Sequence, residues 1–157
     1  MPARVLIVAY GNPLRSDDGV AWRVAEALER EYSEDDVEIL TLHQLGPELS
    51  ETVSHFATVI FIDATAAGDK TAPGQIHVEE IASEARADTS RFTHAVSPQT
   101  VIALSVTLYG ARSQAFLVTV VAASFDHGGA LSPSVEAALP TLVSEVDRLV
   151  ERSLAKP

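Results

Sequence analysis

The chain has 157 residues, 46% of them apolar and 21% charged, which is the size and composition of one globular domain, expected here over residues 1–157 without linker, repeat or low-complexity tract. It contains no cysteine, so disulfides, thiolate metal sites and a cysteine nucleophile are excluded, and any metal must use oxygen and nitrogen ligands. A formal net charge of −11 with no basic stripe to offset it argues against nucleic acid as a partner.

The chain begins Met1-Pro2-Ala3-Arg4 and continues Val5-Leu6-Ile7-Val8-Ala9, too short an apolar run for a signal peptide, and no stretch reaches membrane-spanning length. The expectation is a cytoplasmic protein with no membrane partner. Residues 5–9 read as a strand buried on both faces, as in a parallel sheet. A loop follows over residues 10–19. Val20, Val24 and Leu28 then recur at helical spacing, with Asp17 and Asp18 placed to cap that helix.

Residues 37–42 read as a second strand, 47–54 as a short helix, and 58–62 as a third strand ending at Asp63. This βαβαβ rhythm implies a doubly wound parallel sheet. The Gly- and Pro-rich stretch 64–74 is too short and too broken for a crossover helix, so residues 75–78 are expected as an antiparallel edge hairpin. Residues 79–96 are polar and show no clear period. Ser97 as N-cap and Pro98 at the first helical position then open a helix, stapled at its entry by Val96 and Val101. Its apolar face is expected to be Val101, Leu104, Leu108 and Tyr109, with Gly110 as the stop. Residues 116–121 form the last strand. A loop over 122–130 leads to Ser132-Pro133 and a long helix carrying Val135, Ala138, Leu139, Leu142, Val143, Val146, Leu149 and Val150 on one stripe, with Pro140 expected to bend it. The fold class is therefore α/β: a doubly wound, mostly parallel five-stranded sheet with one antiparallel edge strand and helices on both faces.

In such a sheet, ligands bind beyond the carboxyl ends of the strands, where the strand order reverses. Asp17 and Asp18 follow the first strand, Asp63 ends the third, Asp126 and His127 follow the last, and His94 lies in the connection before a helix start. A carboxylate at a buried strand end is costly unless paired, hydrogen-bonded or bound to a cation. Two carboxylates and one imidazole would suit zinc or nickel and leave positions open for water or substrate. Blander readings stand beside this one: Asp17 or Asp18 as a helix cap, Asp63 as a carboxylate bonded to local N–H groups, His94 as a solvated side chain. His43, His55 and His77 have weaker claims. Gly11-Asn12-Pro13-Leu14 is neither a dinucleotide-binding nor a P-loop pattern, and no nucleophile elbow occurs, which leaves activated water as the simplest nucleophile.

The run Gly11-Asn12-Pro13-Leu14-Arg15-Ser16-Asp17-Asp18-Gly19 resembles the G-N-x-L-x-x-D-[DE]-G signature of the hydrogenase maturation proteases. Gln44-Leu45-Gly46-Pro47-Glu48-Leu49, Ile62-Asp63-Ala64, His94-Ala95-Val96-Ser97-Pro98 and Leu131-Ser132-Pro133 follow in that family's order and approximate spacing. Ala21 stands where the family usually has a glycine. The resemblance implies an endopeptidase that removes the C-terminal extension of a [NiFe]-hydrogenase large-subunit precursor after nickel insertion. It also implies Asp18, Asp63 and His94 as metal ligands and Asp18 or Asp63 as the catalytic carboxylate. The histidine of a relative that carries it directly after Ser-Pro would fall on Gln99, which has no imidazole; His94 is the nearest histidine. Nickel would arrive with the substrate, with zinc or cadmium able to substitute. The rival readings are a non-enzymatic nickel-binding or chaperone module and a flavodoxin-like cofactor domain.

Overall fold

A computed structural model describes residues 3–82 and 96–156. Its centre is a five-stranded sheet of β1 (Val5–Tyr10), β2 (Val37–Leu42), β3 (Thr58–Thr65), β4 (Ile76–Ile81) and β5 (Gln114–Val121), in the order β2-β1-β3-β5-β4. The pairs β1·β2, β1·β3 and β3·β5 are parallel, and β4 runs antiparallel to β5 at one edge. Around the sheet lie α1 (Val20–Glu29), preceded by a 3-10 turn (Ser16–Gly19), then α2 (Leu49–Val53), α3 (Pro98–Tyr109) and α4 (Pro133–Leu154).

The inner strands are continuous apolar runs because each buries both faces, and successive side chains serve opposite cores. Val5, Ile7, Ala9, Ile60, Ile62 and Val118 face one core with α1 and α4. Leu6, Val8, Val59, Phe61 and Ala115 face the other with α2 and α3. Burying a side chain of this size contributes about 1.5–3 kcal/mol. The two cores therefore hold the sheet, and with it the register of its carboxyl ends.

Several expectations are revised. The edge strand does not form a hairpin with β3. Residues between them carry the chain past one strand position, into which β5 inserts, so β4 pairs with β5 instead. That strand also extends through Glu79 and Glu80 to Ile81, because an edge strand exposes most of its side chains and needs no apolar run. The third strand does not stop at Asp63: Ala64 and Thr65 continue it, paired with Val120 and Val121. In α3 the buried face is Val101, Ile102, Leu104 and Ser105, whereas Leu108 and Tyr109 are 61% and 49% exposed. The last turn of that helix overhangs the core. Its ends match the sequence reading: the Ser97 side chain accepts a hydrogen bond from the Thr100 N–H at 3.1 Å, and Gly110 takes the left-handed conformation at φ 63°. In α4, Val135, Leu142, Val146, Leu149 and Val150 are buried and Ala138, Leu139 and Val143 pack against the same core; Pro140 lies inside the helix.

Candidate active site at the carboxyl rim of the sheet

The sheet order puts the reversal between β1 and β3, from which the chain leaves in opposite directions, to β2 on one side and past β5 to β4 on the other. Ala9 of β1 is in register with Ile62 of β3. The next residues, Tyr10 and Asp63, are thus neighbours at the rim, both on the face covered by α2 and α3. A parallel register of this kind brings side chains of equal parity together without any local sequence signal.

Immediately after Tyr10 the chain must turn. Gly11 does so at φ 142°, and a Cβ there would sit 2.0 Å from the carbonyl oxygen of Asp18, so only glycine allows the loop to fold back so closely. Gly19 is pressed on Pro13 in the same way, with 2.7 Å between a Cβ added there and the proline Cα. The Asn12 N–H donates to Asp18 Oδ2 at 2.8 Å, and Asn12 Oδ1 accepts from the Leu14 N–H at 2.9 Å. The loop is thereby closed on itself with the Asp18 carboxyl inside its curve.

Asp17 and Asp18, adjacent in sequence, have opposite environments. Neither caps α1, whose N-cap Gly19 receives no side-chain hydrogen bond. Asp17 is wholly buried and accepts four hydrogen bonds: from the N–H groups of Ala123 (2.8 Å), Ser124 (3.0 Å) and Ser132 (2.7 Å), and from the Ser132 hydroxyl (2.8 Å). Burial alone would push its carboxyl up, but these donors outweigh that and hold it below the usual carboxylate range. Ser132 is the N-cap residue of α4, so Asp17 fastens the signature loop to the start of another helix. Backbone bonds from Ser16 N–H to the Gly128 carbonyl (2.7 Å) and from Gly128 N–H to the Leu14 carbonyl (2.9 Å) complete the seam. With its oxygens filled, Asp17 is a clamp and not a ligand.

Asp18 keeps partial exposure and, among the described residues, accepts one hydrogen bond, from Asn12. Asp63 is partly buried, beside Tyr10 on the same face of the sheet, and its Oδ1 accepts from the Ala64 N–H at 2.8 Å. Burial pushes the Asp63 carboxyl up to about 7, polar groups beside it, the Ala64 N–H among them, oppose that rise, and the nearby charge of Asp18 adds to it. Tyr10 is in turn held protonated, well above the ordinary phenol value, by burial and by the charge of Asp63 and Asp18. Two carboxylates that repel one another across a shared rim are a place where a cation gains, and one poised near 7 can take or give a proton.

Of the residues singled out in the sequence, the structure brings Asp18 and Asp63 together. His94 lies outside the described residues. Gln99 stands on the first turn of α3 with its Nε2 3.4 Å from Glu79 Oε1. Asp126 and His127 are exposed on the loop that Asp17 clamps. His43 packs edge-on against Trp22 at 5.3 Å between ring centroids, His55 lines a surface cleft with Glu38 and Glu51, and His77 is exposed on β4. Among the described residues no three His, Asp or Glu side chains converge to hold a metal. A groove of about 330 Å3 beside the loop is lined by Pro13, Trp22, Arg23, Thr41 and Leu131 among others, not by Asp18 or Asp63, and is distinct from the carboxylate pair. Sequence reading passed over Tyr10; its only signal is its position directly after the apolar run, one residue past the register partner of Ile62.

A family model described as hydrogenase maturation protease matches residues 22–148. The chain is 30% identical over 153 residues to the hydrogenase 2 maturation protease of Escherichia coli strain K12, covering 91% of this chain and 88% of that protein. Among solved structures it resembles the hydrogenase-maturating endopeptidase HybD of E. coli, with a TM-score of 0.73, 28% identity and coverage of 96% of this chain and 93% of that one. The fold is shared also with the [NiFe] hydrogenase maturation protease HybD of Thermococcus kodakarensis, at a TM-score of 0.69, 24% identity and coverage of 94% and 99%. By the family match and the extent of its likeness to these proteins, the chain belongs to the hydrogenase maturation protease family.

Proposed function

We propose that this endopeptidase removes the C-terminal extension of a [NiFe]-hydrogenase large-subunit precursor in the cytoplasm, after nickel has been inserted, and that it reads the nickel as part of its substrate. The observation that carries this reading is the pair Asp18 and Asp63, held on one rim by the Gly11 turn and by the β1–β3 register, with Asp63 poised at about 7. Precursor nickel set between the two carboxylates would relieve their repulsion, with His94 as the third contact that the family resemblance implies. Zinc or cadmium would serve as stand-ins for such a borderline cation.

Hydrolysis then requires a water, a base and a leaving amine. Asp63 or Asp18 takes the proton from a water that attacks the scissile carbonyl carbon. The tetrahedral intermediate collapses when the same carboxyl returns the proton to the departing amine nitrogen. Docking through the substrate's own metal places the scissile bond against the pair, a proximity effect that an empty precursor does not reproduce. The strongly negative chain fits a protein partner and not a nucleic acid.

The test is mass spectrometry of a nickel-loaded large-subunit precursor incubated with the purified chain. Loss of one C-terminal peptide of fixed mass is expected, and Asp63→Asn should leave the precursor intact. An uncut precursor with the wild-type chain, or equal cutting by Asp63→Asn, would refute the assignment.

A further inference from the structure

The loop that curls round Asp18 has a second side. Asn12 holds the Asp18 carboxyl within the curve, whereas its neighbour Pro13, with Ser16 and Gly19, lines the groove of about 330 Å3. Trp22 and Leu131 add apolar surface to that groove, and Glu26 and Glu29 of α1 add charge. Its shape is set by the fold: the Ser16 N–H and hydroxyl donate to the carbonyls of Gly128 (2.7 Å) and Ala130 (2.9 Å), and the Trp22 indole N–H donates to the Leu42 carbonyl at 3.1 Å. A preformed cleft at the low end of the roughly 300–1,000 Å3 usual for ligand sites takes a short stretch of chain and not the convex face of a folded protein. Arg23 also lines it but is engaged by Glu136 at 3.4 Å, so the groove keeps a surplus of negative charge, in a chain whose net charge is −11.

We propose that this groove seats the C-terminal extension of the precursor, with an apolar side chain against Pro13, Trp22 and Leu131 and a basic side chain facing Glu26 and Glu29. The inference rests on the proposed cleavage at Asp18 and Asp63 and carries it from the scissile bond to the extension beyond. Continuity favours this occupant: Pro13 follows Asn12, which binds Asp18, and Gly19 follows Asp18 itself, so a chain leaving the carboxylate pair enters the groove by crossing one loop. Charge complementarity favours a basic residue in it, drawn by the two glutamates. Contacts this far from the reacting atoms hold substrate and transition state alike, so they set KM and leave kcat alone.

The experiment compares steady-state processing of nickel-loaded precursor by the wild-type chain, Glu26→Lys/Glu29→Lys and Asp63→Asn, with thermal melts of all three. Both glutamates are exposed, so the double variant should melt as wild type. Its KM should rise about tenfold with kcat within about twofold, and a precursor whose extension carries glutamate in place of its basic residues should bring KM back to within about twofold of wild type. Trp22 is the only tryptophan of the chain and reports on the groove directly. A tryptophan-free synthetic peptide of the extension should shift its emission to saturation in the wild type and not in the double variant. A wild-type KM in the double variant overturns the inference, as does an extension that contains no basic residue. A KM defect that the substituted extension does not rescue would assign the groove to the body of the large subunit, and an emission shift on concentrating the chain alone would assign it to a second copy; either result overturns it. Asp63→Asn separates the two levels. If it is inactive while the double variant behaves as wild type, only the groove assignment fails; if it cleaves normally, the role of the carboxylate pair fails, and the peptide titration still decides the groove.

Discussion

Replacing Asp17 by asparagine tests the division of labour between the two adjacent aspartates. In the wild type, Oδ2 of Asp17 accepts from Ala123 N–H, Ser124 N–H and the Ser132 hydroxyl, and Oδ1 accepts from Ser132 N–H. The amide can keep its oxygen where three donors converge, but its NH2 then faces the Ser132 N–H, leaving one buried donor opposed to another. The remaining three bonds lose their charge assistance, and such bonds are roughly twice as strong as neutral ones. An orphaned buried donor costs about 1–3 kcal/mol and the weakened bonds add to it, giving about 2–4 kcal/mol in all. For a chain of this length that lowers the melting temperature by roughly 5–15 °C. Asp18→Asn, losing one bond's charge assistance at a partly exposed site, should melt within about 2 °C of wild type and yet fail to cleave. The sign with pH follows from the direction of the Asp17 shift. Its folded carboxyl lies below the unfolded value, so the stabilisation is present above that unfolded value, near 4, and is lost as pH falls through the lower folded one. Melts by circular dichroism from pH 8 down to pH 3 should therefore show the gap between wild type and Asp17→Asn closing in acid. A wild-type melting temperature for Asp17→Asn at pH 8 would refute the clamp.

Asp63 should behave in the opposite sense. Its carboxyl is raised to about 7, so its ionisation costs stability that is absent below about pH 4 and fully present above about pH 7. The shift alone would give at most about 4 kcal/mol. Screening at the partly exposed rim and the weaker acceptor that an amide offers the Ala64 N–H reduce this to about 1–2 kcal/mol, so Asp63→Asn should melt above wild type at pH 8 and level with it at pH 4; equal melts at pH 8 would contradict the burial cost. His94→Ala should abolish processing with little change in melting temperature, whereas a large drop would mark a structural histidine.

The sheet's inner strands were legible because Val5, Leu6, Ile7 and Val8, like Val59, Ile60, Phe61 and Ile62, are buried on both faces and so appear as unbroken apolar runs. The edge strand was read short, since Val78, Glu79 and Glu80 are exposed and only its partner β5 defines it. A hairpin was the local reading of the connection after β3; the inserted β5 is a non-local fact. The same limit governs the site. Gly11, Asp18 and Asp63 stand out through a loop pattern and a strand end, but an aspartate before a helix looks like a cap whatever it binds. The donors that make Asp17 a clamp lie 106 to 115 residues away, and nothing near Asp17 announces them. Tyr10 was missed for a related reason: its partner is set by register between two strands that are distant in sequence.

The central claim is that the carboxylate pair acts on a substrate that brings its own nickel. Purified chain, stripped of metal, should be incubated with nickel-loaded and nickel-free forms of the same large-subunit precursor, and the rate of loss of the C-terminal peptide followed by mass spectrometry. Cleavage of the loaded form alone, abolished in Asp18→Asn and Asp63→Asn, is the result expected from a pair of oxygen ligands that completes a shared coordination shell. Equal rates on the two forms would contradict it and make the tail sequence, not the metal, the feature that the enzyme reads.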